Sequence, residues 1–351
     1  MLWLYELKKA LVTQKGVGIL ILCCLLKILL MVSYPEQIDS RIALSRVQYD
    51  KFLSVLHGEN TPKKSQWVQK EYAACRQTRE MQSDMEEAHE NGELTENEWN
   101  SFLDQVHSAE LKINAAKIFS EKAEQFQNHN ALLPPAHYIY EYGWQSIYTI
   151  MQLPDLVFVL GMLILVSKSL LSDSLTGMLP VLLAAKNGRE QLFRMKLLAL
   201  LGVCFAGYIL SIAVEMGVFA YRGWLNDSGV PLYSVTIFRN SDLNLTLAEG
   251  YAVCAVIRGA ALILLSAALY GLSVWIRSAP QLIFTGICVV SFPLLFGGNW
   301  SLFTLGGLLS GTRMLLQINN SLQILWISAG VQTLLTAILL HWAEIRFSRG
   351  I

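Results

Sequence analysis

Lys27, Glu215 and Arg258 are the residues whose surroundings most constrain their chemistry, because each stands inside a long apolar run. A lone charge in the middle of a bilayer core costs roughly 2.5–3.5 kcal/mol on insertion scales, so such groups pair, face a wet cavity or snorkel. All three lie within about seven residues, roughly two helical turns, of the same end of their runs. That shared depth predicts an ion pair between Glu215 and Arg258. Lys27 is expected near an outer vestibule, where its long stem could also carry the ammonium to the headgroups.

Other chemistry finds little support. Five of the six histidines (His57, His89, His107, His129, His137) fall in one polar stretch, with Asp84, Glu86, Glu87, Glu90 and Glu93 around His89. No two share metal-ligand spacing, so they read as solvated helix surface rather than a metal or proton sensor. A phosphate loop is missing: Gly297-Gly298-Asn299 and Gly306-Gly307 lack the lysine. His341-Trp342-Ala343-Glu344 is not a zinc-protease motif, and no Gly-x-Ser-x-Gly elbow occurs. The chain is therefore expected to be no enzyme, with no metal or cofactor of its own.

The elements that hold these residues are six apolar stretches: Gly16–Val32, Met151–Ser167, Leu197–Tyr221, Ala252–Ile276, Ala279–Phe296 and Leu322–Trp342. Each matches the ~17–25 residues that cross a bilayer core as a helix. A hydrophobic content of 53% and a mean hydropathy of +0.40 also exceed those of an ordinary soluble domain. Between the first two stretches lies a polar insert, 33–150, with 11 Lys/Arg against 18 Asp/Glu. The rest of the chain carries 16 basic and 9 acidic residues, so the net charge of zero hides an acidic insert on a basic body. No concentrated basic face suggests nucleic-acid binding. Five of six cysteines sit in apolar stretches as small hydrophobes, and Cys75 alone cannot form a disulfide within the insert. Met31–Pro35 is a poor signal-peptide cleavage site, so the first span is expected to stay.

Basic residues near the run ends set the orientation. Lys8 and Lys9, the group Lys168, Lys186, Arg189, Arg194 and Lys196, then Arg277, and finally Arg346 and Arg349 fall on one side of six crossings. That side is the cytoplasm, which puts the chain in the cell membrane as a multi-pass protein with both termini inside and the insert outside. Residues 1–14 place Trp3, Leu4, Leu7 and Leu11 on one helical side, as in a helix lying in the inner interface. Within the insert, Ile38, Ile42, Ser45, Tyr49, Phe52 and Leu56 step by four and three. Thr61-Pro62 starts a second helix, and Thr95 with Glu98 forms a capping box ahead of Trp99, Phe102 and Val106. The aromatic run Tyr138, Tyr140, Tyr142, Trp144 and Tyr148 reads as an interfacial belt, or alternatively as an aromatic ligand surface.

The segment 168–196 carries the most specific pattern. An acidic and hydroxyl-rich stretch with Asp173 precedes Gly177, a short apolar helix containing Leu182 and Leu183, a turn at Gly188, then Arg189 and Lys196. This order resembles the cytoplasmic loop of ATP-binding-cassette exporter permeases of the type-2 class. Ser172-Asp173 stands where that family usually has Glu. The resemblance extends to the N-terminal interfacial helix, the six spans, the large outer domain and the short apolar runs Leu302–Leu309 and Met314–Ile318 within the 297–320 outer re-entrant segment.

The resemblance implies an all-α polytopic permease that pairs with a second copy or a sister permease and contacts membrane lipids. A separate ATPase subunit would bind the ATP and contact Asp173, Gly177, Leu182, Leu183, Gly188, Arg189 and Lys196. Span surfaces without a distinct polar lining lean toward an amphipathic peptide, lipid or drug-like substrate. The alternative is a membrane-anchored sensor or scaffold whose outer helical domain binds a ligand or partner.

Overall fold

Apolar runs of this length leave backbone groups no partner but each other, and they fold as helices. The computed structural model describes residues 2–43, 45–127, 133–175, 189–276, 278–296, 303–318 and 322–349. α1 (Leu2–Lys8) continues as a π-helical turn (Lys9–Thr13) and leads to α2 (Gly16–Ser33). Then come α3 (Ser40–Ala43), α4 (Arg46–Leu56), β1 (Gly58–Glu59), α5 (Pro62–Glu80), α6 (Gln82–Glu90) and α7 (Glu96–Gln127). β2 (His137–Tyr138), α8 (Tyr142–Ile150), α9 (Leu156–Leu175) and α10 (Arg189–Tyr221) follow. The chain ends with α11 (Leu247–Leu272), α12 (Ala279–Phe296), α13 (Leu305–Leu308), α14 (Gly311–Ile318) and α15 (Leu322–Arg349).

Two compact units form. The first comprises Met1–Pro35, Ile147–Trp224 and Glu249–Ile351, and the second Glu36–Ser146 with Leu225–Ala248. Among the described residues, four helices of the first unit are long and apolar enough to cross a membrane: Gly16–Ser33, Glu190–Tyr221, Leu247–Leu272 and Leu325–Arg349. Leu156–Lys168 and Ala279–Ser291 are shorter apolar helices. The chain is an α-helical membrane protein.

In the first unit α2, α9, α10 and α12 pack around Phe158, Met162, Leu163, Val203, Leu262 and Leu282. A Cβ at Gly161 would stand 2.3 Å from Cys23 Sγ, so the missing side chain is what lets α9 approach α2. The second apolar run begins at Met151, but α9 starts only at Leu156, because Pro154 and the capping residue Asp155 intervene. α1 packs along α10 with Leu7, Ala10 and Leu11 turned to the core, whereas Trp3 and Leu4 of the same expected stripe are exposed. Lys15 in the left-handed region (φ 58°) turns the chain from this helix into α2. A Cβ at Gly16 would lie 2.5 Å from the Ala10 carbonyl oxygen, which makes glycine obligatory at that corner. Leu25, Leu29, Trp326, Leu334 and Trp342 face outward, an apolar exterior suited to lipid.

In the second unit α5 and α4 pack against α7. Thr61 caps α5, with Pro62 as its first residue. Thr95 and Glu98 close the expected box: Glu98 Oε2 accepts the Thr95 N–H at 2.9 Å, and Thr95 Oγ1 accepts the Glu98 N–H at 3.4 Å. The core gathers Ile42, Tyr49, Phe52, Leu56, Val68, Phe119 and Phe126. Contrary to the expected interfacial belt, Tyr138 and Tyr142 belong to this core too and Trp144 is buried, while Tyr148 is buried in the first unit. The reason is aromatic packing: Tyr138 meets Phe126 edge-on at 5.1 Å, and Trp144 Nε1–H donates to the Asn226 carbonyl at 2.6 Å. Leu225–Ala248 adds Tyr233, also buried, and holds its own shape by the Leu232 N–H to Leu245 O bond at 2.8 Å.

Tyr49 tests how tightly this core is closed. Its ring stacks on Phe119 at 4.9 Å, and its hydroxyl is buried without a hydrogen-bond partner. Burial first, then neighbouring Tyr142 and Glu141, hold its phenol well above the usual value near 10. Burial likewise pushes Tyr140 up to about 12. A phenol with a raised folded pKa is stable below the unfolded value and loses that stability as pH climbs through about 10 and beyond. Tyr49→Phe should therefore keep or raise stability at pH 7 and move the alkaline unfolding midpoint upward, read by near-ultraviolet circular dichroism. A loss of more than about 1 kcal/mol at pH 7 would contradict this environment.

Candidate functional site

Four charged side chains meet inside the first unit: Lys27 on α2, Asp155 before α9, Glu215 on α10 and Arg258 on α11. Lys27, Glu215 and Arg258 are 6%, 3% and 4% exposed, so water does little to solvate them. Lys27 Nζ donates to Glu215 Oε1 at 2.5 Å, and also to the Asp155 carboxylate and the Ser211 hydroxyl. Arg258 reaches the same Glu215 oxygen at 3.5 Å, and the Tyr251 hydroxyl donates to Glu215 Oε2 at 2.9 Å. Two cations and two carboxylates cancel, the condition under which charge survives in an apolar interior.

Local structure explains each position. Asp155 is the N-cap of α9, its Oδ1 accepting the Phe158 N–H at 3.1 Å, which leaves Oδ2 for Lys27. Ser211 and Glu215 are one helical turn apart on α10 and face the same way. Tyr251 and Arg258 stand two turns apart on α11. Gly311, at the start of α14, would place a Cβ 3.2 Å from Arg258 Cδ, so this short helix begins directly on the arginine stem. The Thr312 N–H also bonds the Met151 carbonyl at 3.3 Å.

Beside the cluster lies a cavity of about 410 Å³, bounded by all four charged residues and by Leu30, Met31, Leu153 and Leu156. A charged floor under aliphatic walls suits a molecule with a polar head and an apolar body.

Sequence reasoning singled out Lys27, Glu215 and Arg258, and the structure brings all three together. It departs from the expected arrangement in one respect. Lys27 sits in the centre with the shorter contact to Glu215, and it does not snorkel, because two carboxylates and a hydroxyl meet it at depth. Asp155 was missed. Its signal is Pro154-Asp155 at the very start of an apolar run, a pattern that reads as an ordinary helix cap.

Of the expected coupling residues, Gly177, Leu182, Leu183 and Gly188 lie outside the described residues. Asp173 falls in the last turn of α9, and Arg189 opens α10. Lys196 is 4% exposed on α10, the helix that α1 packs against, so a partner could reach it only through neighbouring residues. Arg194 nearby pairs with Glu344 of α15 at 2.5 Å. Among the described residues no three His, Cys, Asp or Glu side chains converge as metal ligands. Comparison with protein-family models, curated proteins and solved structures finds no match to this chain.

Glu215→Gln removes the negative charge that Lys27 and Arg258 share at Oε1 and leaves one acceptor oxygen where Lys27, Arg258 and Tyr251 now use two. The variant should lose about 3–5 kcal/mol of stability, the usual cost of stranding a buried charge. Thermal unfolding in detergent measures it, with Ser211→Ala expected to cost only about 1 kcal/mol. A melting temperature unchanged by Glu215→Gln would show that the cluster contributes nothing to the fold.

Proposed function

We propose that this protein is the membrane-spanning permease subunit of an ATP-driven exporter of the type-2 class, moving an amphipathic peptide, lipid or drug-like substrate. The observation that carries the reading is the neutral charge cluster under an apolar-walled cavity, inside a bundle of apolar helices. Three further features support it: the N-terminal helix packed on α10, the short α13–α14 pair between the last two long helices, and the order of residues in 168–196.

In this reading α2, α9, α10, α11, α12 and α15 are six crossings. Both termini are cytoplasmic, and the unit Glu36–Ser146 with Leu225–Ala248 is extracellular. α9 and α10 run on past their apolar parts to Leu175 and from Arg189, so they are levers joined by the 168–196 segment. A separate ATPase subunit, which binds the ATP, pushes that segment. The tilt of α9 moves Asp155, and the tilt of α10 moves Glu215. Lys27 loses one carboxylate or the other as the helices part, and the cavity opens to take or release the polar head of the substrate. A second copy or a sister permease covers part of the apolar exterior of α15, and lipid covers the rest.

A second reading, a membrane-anchored sensor or scaffold, is favoured by the independent core of the Glu36–Ser146/Leu225–Ala248 unit. Co-purification with an ATP-binding-cassette ATPase subunit separates the two. Arg189→Glu and Gly177→Leu should each reduce complex formation and substrate-stimulated ATP turnover by about tenfold, equivalent to ~1.4 kcal/mol of coupling. Unchanged association and turnover in both variants would remove the coupling assignment and leave the sensor.

A further inference from the structure

The last turns of α15 border a cleft that the transport reading does not use. Trp342, Ile345, Arg346 and Arg349 stand on one face of α15, at the i, i+3, i+4 and i+7 positions. Trp275 meets them from the turn that ends α11, where its N–H donates to the Leu272 carbonyl at 3.0 Å. Gly271 permits the approach, since a Cβ there would lie 3.1 Å from Leu339 Cγ on α15. These five side chains bound a cavity of about 430 Å³. Both helices are long and apolar enough to cross a membrane, and the cleft lies at the end of each, the level of lipid headgroups.

Two arginines and no acid line this cavity, unlike the neutral cluster around Glu215. The Arg346 guanidinium lies 5.5 Å over the Trp275 ring, which holds its plane, and its Nε is buried without an acceptor. Its two terminal nitrogens therefore carry all the hydrogen bonding it can offer. Among the described residues neither they nor Arg349 meet a carboxylate, and Glu344, the nearest acid in sequence, is taken by Arg194 at 2.5 Å. Arginines that only close a helix end bond its last carbonyls or spread into water. Arg346 is instead fixed on a ring, with the exposed Arg349 beside it, and two guanidinium forks on one face suit a phosphate. Trp342, 66% exposed, continues the cleft onto the apolar exterior, where acyl chains can lie. A choline or ethanolamine head would bring a third cation to the arginines, whereas an anionic head brings the missing charge.

We propose that this cleft binds the phosphate of an anionic membrane lipid, bridged between Arg346 and Arg349, with its acyl chains beside Trp342. The assignment rests on α11 and α15 being membrane helices and not on transport. The full chain in detergent is titrated with dioleoyl phosphatidic acid or dioleoyl phosphatidylcholine. Native mass spectrometry then reports bound lipid and oligomeric state together. Phosphatidic acid should bind at least about tenfold more tightly, a preference that Arg346→Gln combined with Arg349→Gln reduces to below about twofold. Arg349→Gln alone, on an exposed side chain, should weaken phosphatidic acid binding about fivefold. Lys168→Gln removes an exposed cation at the end of another apolar helix and should change it less than about twofold. Equal binding of the two lipids by the parent protein, or equal weakening by Lys168→Gln, would overturn the proposal in favour of general headgroup attraction. Displacement of the lipid by millimolar inorganic phosphate would overturn it in favour of a free anion. A dimer lost on Arg349→Gln would give the cleft to a second copy of this chain.

Discussion

Glu215 holds two cations with one carboxylate, and the packing of the apolar helices is arranged around that fact. Lys27 arrives from α2, Arg258 from α11, and Asp155 from the cap of α9 balances the second positive charge. Four helices are therefore tied at one point deep in an interior where an unpaired charge is expensive. Much of the remaining contact in this unit is small-residue approach such as Gly161 on Cys23 and aliphatic packing, which lipid could replace at little cost. The ion cluster gives the bundle a defined register that generic apolar packing does not.

The same cluster ties the positions of the helices to one another. Glu215 Oε1 contacts both Lys27 and Arg258, so a shift of α10 changes both ion pairs together. Lys27 has the Asp155 carboxylate and the Ser211 hydroxyl as further partners during such a shift. The second unit is built differently. An aromatic core, in which Phe119 stacks on Tyr49 and Phe52 and tilts against Tyr138, holds it together.

Much of this was legible in the residues. Charges inside apolar runs announce themselves, so Lys27, Glu215 and Arg258 stood out before any coordinates, as did the Thr95–Glu98 capping box. Asp155 did not, because an acid before a helix is the commonest of caps and gives no hint of a distant lysine. The tyrosines after Ala136 misled for a related reason. A ring with a polar tip serves a membrane interface and a protein core equally well, and only the partner rings on α7 decide between them. Leu225–Ala248 was invisible as part of the second unit. It has two short 3₁₀ turns and no sustained period, and it joins the unit through residues far away in the chain, as when Gln125 donates to the Tyr233 carbonyl at 3.1 Å.

A paired neutralisation tests the central claim most directly. Lys27→Met alone leaves two carboxylates facing one arginine, and Asp155→Asn alone leaves two cations facing one glutamate. The double variant removes one charge of each sign and keeps Glu215 with Arg258. Chemical denaturation of the three proteins in the same detergent should show each single variant destabilised by about 3–5 kcal/mol and the double variant within about 1–2 kcal/mol of the parent. Losses that simply add would mean that these side chains are not held together by charge, and the account built on their pairing would fail.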